Sequence, residues 1–172
     1  MQVKTNAGYI FDQLSFLLQS LTDEQYHWSC EEFYGASIGK HYRHIIEFFQ
    51  CVSVADQTGT ICYDNRPRDE RIEKIRSFAL QALSDLQTEL SEIDDSKILT
   101  MIGDISAGNN SEGSVMSTSL FREFHYAIEH AIHHMAILKM GIRHAFPDIL
   151  IPDEFGVAPS TVRFRRFIEL AS

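Results

Sequence analysis

Four long amphipathic segments, short connections and one weakly β-like interval predict an all-α protein, a four-helix bundle with room for a small β-hairpin before its last long helix. The chain has 172 residues, enough for one domain, residues 1–172, with a substantial core. Ile10, Leu14, Leu17, Leu18 and Leu21 recur three and four apart, so the first helix runs from about Thr5 to Leu21. Thr22-Asp23-Glu24-Gln25 fits a capping box for a short helical turn. His27 to Ala36 reads as a connection. Ser37 then caps a second helix to about Asp56, with Tyr42, Ile45, Phe48, Phe49, Val52 and Ala55 as its apolar stripe. His41 and His44 fall beside that stripe.

Gly59, Asn65 and Pro67 make Thr58 to Arg68 a loop. Ile72, Ile75, Ala79, Ala82, Leu86, Leu90 and Ile93 predict one continuous third helix. The helical period then stops. Lys97 to Ile105 suits a short strand, Gly108 to Gly113 has turn chemistry, and a hairpin would end near Val115-Met116-Ser117. Ser117, Thr118 and Ser119 are alternative caps for a fourth helix reaching about His144, before Pro147. The tail from Pro147 to Ser172 carries Pro152, Gly156 and Pro159, and one last turn of helix is expected after them. Trp28 and the 12 phenylalanines read as core residues.

Composition narrows the function. Fifteen Lys and Arg against 24 Asp and Glu give a net charge of -9, which disfavours nucleic acid as a partner. The one basic cluster, Arg163-Phe164-Arg165-Arg166-Phe167, fits a solvated or inter-helix pairing face. No apolar run approaches the roughly 18 residues of a membrane span, so no membrane partner is expected. Cys30, Cys51 and Cys62 are odd in number and widely spaced. They suggest free thiols and a cytoplasmic location rather than a disulfide framework.

The chemistry lies in the histidines. In Glu129-His130-Ala131-Ile132-His133-His134, His130 and His134 sit about 40° apart around a helix and one turn apart along it, so both imidazoles can reach one ion. His133 diverges from His134 by about 100°. A third imidazole can come from His41-Tyr42-Arg43-His44 on the second helix. Three imidazoles with an open position suit Zn²⁺, Ni²⁺ or Fe²⁺. On the face of His130 lie Tyr126 and Glu123, which with Glu129 and His41 are candidates for orienting ligands or moving protons. Ala131 follows His130 where a zinc protease needs Glu. There is no Gly-x-Ser-x-Gly elbow and no phosphate-binding glycine loop.

Ser37-Ile38-Gly39-Lys40-His41-Tyr42-Arg43-His44-Ile45-Ile46 resembles the second-helix signature of the DinB-like (DinB/YfiT) family. Ser117-Thr118, Arg122-Glu123 and His130-Ala131-Ile132-His133-His134 are similar to its later signature, and Phe155-Gly156-Val157-Ala158-Pro159-Ser160-Thr161 to the tail of one branch. The chain departs at Met135-Ala136-Ile137, where many relatives carry Arg-Gly-Gln. The resemblance implies an up-down-down-up bundle, often a homodimer, with a divalent ion held by His44, His130 and His134. It also implies a metal-dependent transferase of the thiol S-transferase type, acting on a small-molecule substrate with a low-molecular-weight thiol as co-substrate. Hydrolysis is a weaker expectation. Two other readings remain: a non-catalytic metal-binding or stress-response dimeric module, and a helical interaction protein whose histidines bind nothing.

Overall fold

The computed structural model describes residues 2–29, 31–33, 35–103 and 113–171. These residues are mostly helical, with one small sheet. Cys30 and the expected turn at 108–112 lie outside them. Helix α1 spans Gln2–Ser20 and buries Ala7, Ile10, Phe11, Leu14, Leu17 and Leu18. It starts three residues before the expected Thr5, because Val3 and Ala7 continue the same stripe. The capping box forms as expected: Thr22 and Gln25 exchange hydrogen bonds of 2.8 and 3.2 Å at the start of α2 (Asp23–His27). A single 3-10 turn, Glu31–Phe33, follows.

Helix α3 (Ile38–Thr58) is capped by Ser37, whose hydroxyl accepts from the Lys40 amide at 3.0 Å. Its six expected stripe residues are all buried. Gly59 ends it at φ 73°, a left-handed conformation that glycine adopts without a Cβ penalty. The following segment is not simply a loop. Thr60–Ile61 forms strand β1, which pairs in parallel with β2 (Ile98–Gly103).

The expected third helix is broken in two, α4 (Glu70–Lys74) and α5 (Arg76–Glu92), at the extended residue Ile75. The cause is competition for carbonyls. The Tyr26 hydroxyl donates to the Ile72 carbonyl at 2.6 Å, and the His27 ring lies 2.8 Å from the Lys74 carbonyl. Both oxygens are satisfied from outside, so leaving the helical ladder costs little there. Ile75 itself turns outward, 48% exposed.

The hairpin is present: β2 pairs antiparallel with β3 (Ser114–Ser119), Leu99 opposite Thr118. Of the three candidate caps, Ser119 caps α6 (Leu120–Ala145). The tail holds a longer helix than expected, α7 (Pro159–Ala171). Four long helices carry the core: α1 and α3 each pack against both α5 and α6. Trp28 is partly buried against Phe33 and Phe146, but Phe16, Phe121, Phe164 and Phe167 are exposed and so are not core residues. Cys51 and Cys62 are free thiols. Among the described residues, no helix is long and apolar enough to cross a membrane.

Candidate metal centre

The packing of α3 on α6 brings His44 against His130 and His134. On α3, His44 sits beside a stripe that includes the buried Ile45 and Phe48. On α6, Ala127, Ala131, Met135 and Leu138 bury the neighbouring face and turn His130 and His134 toward the same point. One ligand-capable atom from each of the three rings lies within 4.8 Å of the other two. The His44 and His130 Nε2 atoms are 2.7 Å apart. A divalent ion about 2.0–2.1 Å from each nitrogen needs donors about 3.3 Å apart, so shifts on the order of 1 Å would seat one.

A fourth histidine, His41, lies beside the trio but outside the group of convergent donors. His41 Nδ1 is 3.0 Å from His134 Nδ1, which leaves His134 Nε2 to face an ion. The Phe33 and His41 rings meet edge-on, and the His41 Nε2 is buried without a hydrogen-bond partner among the described residues. His133 is exposed.

Burial makes these rings ready as ligands. It pushes His44 down to about 4, helped by His130 and by the cations Arg66 and Arg43. His130 is also pushed down to about 4, by burial, then His133 and Arg66. His134 falls to about 3, by burial and then the surrounding imidazoles. All three are therefore neutral at pH 7, the form that binds a metal.

One wall of the site is aromatic. Phe48 stacks on His130 with 4.1 Å between centroids, and Tyr63 stacks on the far side of Phe48 at 4.7 Å. Tyr126 lies nearly parallel to His130 at 5.8 Å. Arg66 sits 4.9 Å over the Phe48 ring and donates to the Tyr63 carbonyl. Among the described residues its Nε has no hydrogen-bond partner, although the buried Glu47 carboxylate is 3.8 Å away. Tyr63 and Arg66 belong to a stretch whose sequence reads only as a loop, whereas Phe48 is a core residue, as its place in the apolar stripe predicts, and also stacks on a candidate ligand. The cation and aromatic ring so close to Pro67 were the available signal.

The candidate carboxylates stand apart from the three rings. Glu123 is fully buried and accepts from Thr118 at 2.6 Å, Arg122 at 2.9 Å and the Tyr63 hydroxyl at 3.0 Å. Burial and Glu123 together keep that hydroxyl protonated, its pKa well above the ordinary tyrosine range. Glu129 is exposed, beside His125 at 3.9 Å. Among the described residues, no carboxylate or thiol joins the histidine group, so a bound ion keeps an open position.

Next to Tyr126, a cleft of about 650 Å³ opens between the hairpin and α6, lined by Tyr63, Met101, Met116, Arg122 and Tyr126. A second cleft, about 690 Å³ between α3 and α5, touches none of the three histidines. The residues thus form a compact trio of neutral donors beside a mostly apolar, tyrosine-walled space. No family model, curated protein or solved structure matches the chain.

Proposed function

We propose that this chain is a DinB-like protein in which His44, His130 and His134 hold a divalent ion, Zn²⁺ or Ni²⁺ before Fe²⁺, for chemistry of the thiol S-transferase type. The observation that carries this reading is the convergence of three neutral imidazoles from two helices, with no carboxylate or thiol among the described residues to close the site. A bound ion would supply the positive charge that lets a low-molecular-weight thiol lose its proton near neutral pH. His41 would hold the His134 ring in its ligating orientation. Phe48, flat against His130, keeps water from that side of the ring. The Arg66 guanidinium adds a positive charge at the rim, suited to an anionic thiol or substrate. Tyr126 divides the site from the 650 Å³ cleft, where a small electrophile would lie.

The closed cycle of contacts among α1, α3, α5 and α6 supports reading the fold as an up-down-down-up four-helix bundle. The free thiols Cys51 and Cys62 fit a cytoplasmic location. The competing reading, a non-catalytic metal-binding module, draws on one observation. Glu123 is saturated with hydrogen bonds and Glu129 faces solvent, so neither is placed as a general base.

Metal content of tag-free protein, measured by elemental analysis beside His44→Ala and His134→Ala, tests the site. The expected result is close to one ion per chain, lost in both variants. No ion after incubation with zinc or nickel would remove the assignment. Loaded protein that conjugates no thiol to any electrophile would favour the non-catalytic module.

A further inference from the structure

Cys51 of α3 and Cys62, the residue after β1, meet across the turn that ends α3. The turn is held on both sides: Gly59 closes the helix, and Thr60 and Ile61 pair with Thr100 and Met101 of β2. The Cys51 thiol donates to the Cys62 carbonyl, with sulfur and oxygen 3.7 Å apart. A carbonyl oxygen lies about 2.4 Å from its own Cα, so the Cys51 sulfur stands within about 6 Å of the Cys62 Cα. Bridged cysteines have Cα atoms about 4.4–6.8 Å apart, a separation this contact permits. Both thiols are half-buried, and both line the cleft of about 690 Å³ between α3 and α5. A small molecule can therefore reach the two from one side. Phe78 and Leu86 give the cleft an apolar wall, and Asp85 and Glu89 line it one turn apart on α5. Among the described residues these carboxylates accept from neutral donors, the Gln81 amide at 2.8 Å and the Ser53 hydroxyl at 2.7 Å. The guanidinium of the cleft, Arg71, is paired with Asp69 at 2.6 Å. The space beside the thiols thus favours a cation.

We propose that Cys51 and Cys62 are a reversible redox pair, closed into a disulfide by exchange with a small cationic disulfide that enters this cleft. Burial pushes the Cys51 thiol up to about 11, so Cys62 is the attacking sulfur and Cys51 the resolving one. The Cys62 thiolate attacks one sulfur of the small disulfide, forms a mixed disulfide and releases one small thiolate. The Cys51 thiol then gives its proton to solvent, attacks the Cys62 sulfur and expels the second small thiolate. Two electrons pass from the protein thiols to the small disulfide, and the two protons end on the released thiols. Intracellular disulfides of this kind are transient and redox-sensing rather than structural. Neither sulfur belongs to the histidine group, so the pair stands or fails apart from the metal site.

Alkylation and peptide mapping of the full, tag-free chain, after incubation with cystamine near pH 8, test the pair. The expected product is one link between the peptides holding Cys51 and Cys62, about 2 Da lighter than the dithiol and reversed by reductant. Cys51→Ser should stop at a mixed disulfide on Cys62, whereas Cys62→Ser should leave Cys51 unmodified over the same time. The rate advantage of cystamine over the anionic glutathione disulfide should be at least about tenfold larger on the native chain than on the chain unfolded in urea. Asp85→Asn/Glu89→Gln should erase that excess with circular dichroism unchanged. No reaction on the native chain, separate mixed disulfides at the two positions, or a link through Cys30 would overturn the pair. Modification of Cys51 in Cys62→Ser would overturn the order of attack, and an equal advantage in native and unfolded chains would overturn the cationic oxidant.

Discussion

Gly39 lies where α3 meets α4 with no side chain between them. A Cβ at this position would stand 2.1 Å from the Glu73 carbonyl oxygen and 2.9 Å from the Tyr26 ring. Ordinary carbon–oxygen contact is about 3.3 Å, so Gly39→Ala must part the two helices by about 1 Å. Overpacking of this kind costs about 1–3 kcal/mol, and the obstacle is backbone, which cannot swing aside. Alanine's helix propensity returns at most about 1 kcal/mol. Against a rigid backbone oxygen at 2.1 Å the upper end of the overpacking cost applies, so the clash wins by about 2 kcal/mol, and at about 2–4 °C per kcal/mol for a chain of this length the melting temperature should fall by about 4–8 °C. The strain acts on the Tyr26–Ile72 and His27–Lys74 hydrogen bonds that hold α4 in place. It also acts on the first turn of α3, next to His41. Thermal denaturation followed by circular dichroism reads the effect. An unchanged melting temperature, or one raised by alanine's better propensity, would show that the helices do not approach this closely.

Three further predictions concern the histidines. His41→Ala should keep one ion per chain but weaken its binding by about 10–100-fold, because the His134 ring loses its anchor. Chelator competition measures this, and wild-type affinity in the variant would sink the positioning role. Metal retention should hold as pH falls to about 5, since His44 and His130 take up protons only near 4 and His134 near 3. For the metal-free protein the sign is opposite to that of a paired histidine. The unfolded chain takes protons near its ordinary value of about 6.5 while the folded rings stay neutral, so stability declines from about pH 6.5 down to about 4. Bound metal measured after gel filtration between pH 8 and 4 checks the first statement. Half-loss near pH 6.5 would mean hydrated, ordinary imidazoles.

The helices α1, α3 and α6 were legible because their apolar residues repeat at three and four over several turns, and the caps Ser37 of α3 and Ser119 of α6 are local. The break at Ile75 was not, because it is made by Tyr26 and His27, 46 and 47 residues from the carbonyls they engage. Nothing in the local sequence weakens the helix there. Helix α7 was hidden for a different reason: its stripe is complete but faces away from this chain, and Pro152, Gly156 and Pro159 dominate the preceding residues. The pairing of His130 with His134 followed from helical arithmetic. The choice of His44 as third partner came from the family resemblance, because spacing alone does not contain the α3–α6 contact that brings it to the pair. Tyr63 and Arg66 reach the site from the segment tethered by β1, a two-residue strand too short to leave a periodic signal.

His44 and His130 are 86 positions apart, yet their ring nitrogens nearly touch. A folding chain therefore owns two of the three rings long before the whole. His130 and His134 are oriented as soon as one turn of α6 forms, whereas His44 arrives only when α3 docks. An ion that needs all three rings would act after that docking step. It should slow the escape of the native state far more than it hastens its formation, the signature of contacts absent from the transition state. Seen this way, the three rings serve as a clock hand for the closure of α3 on α6.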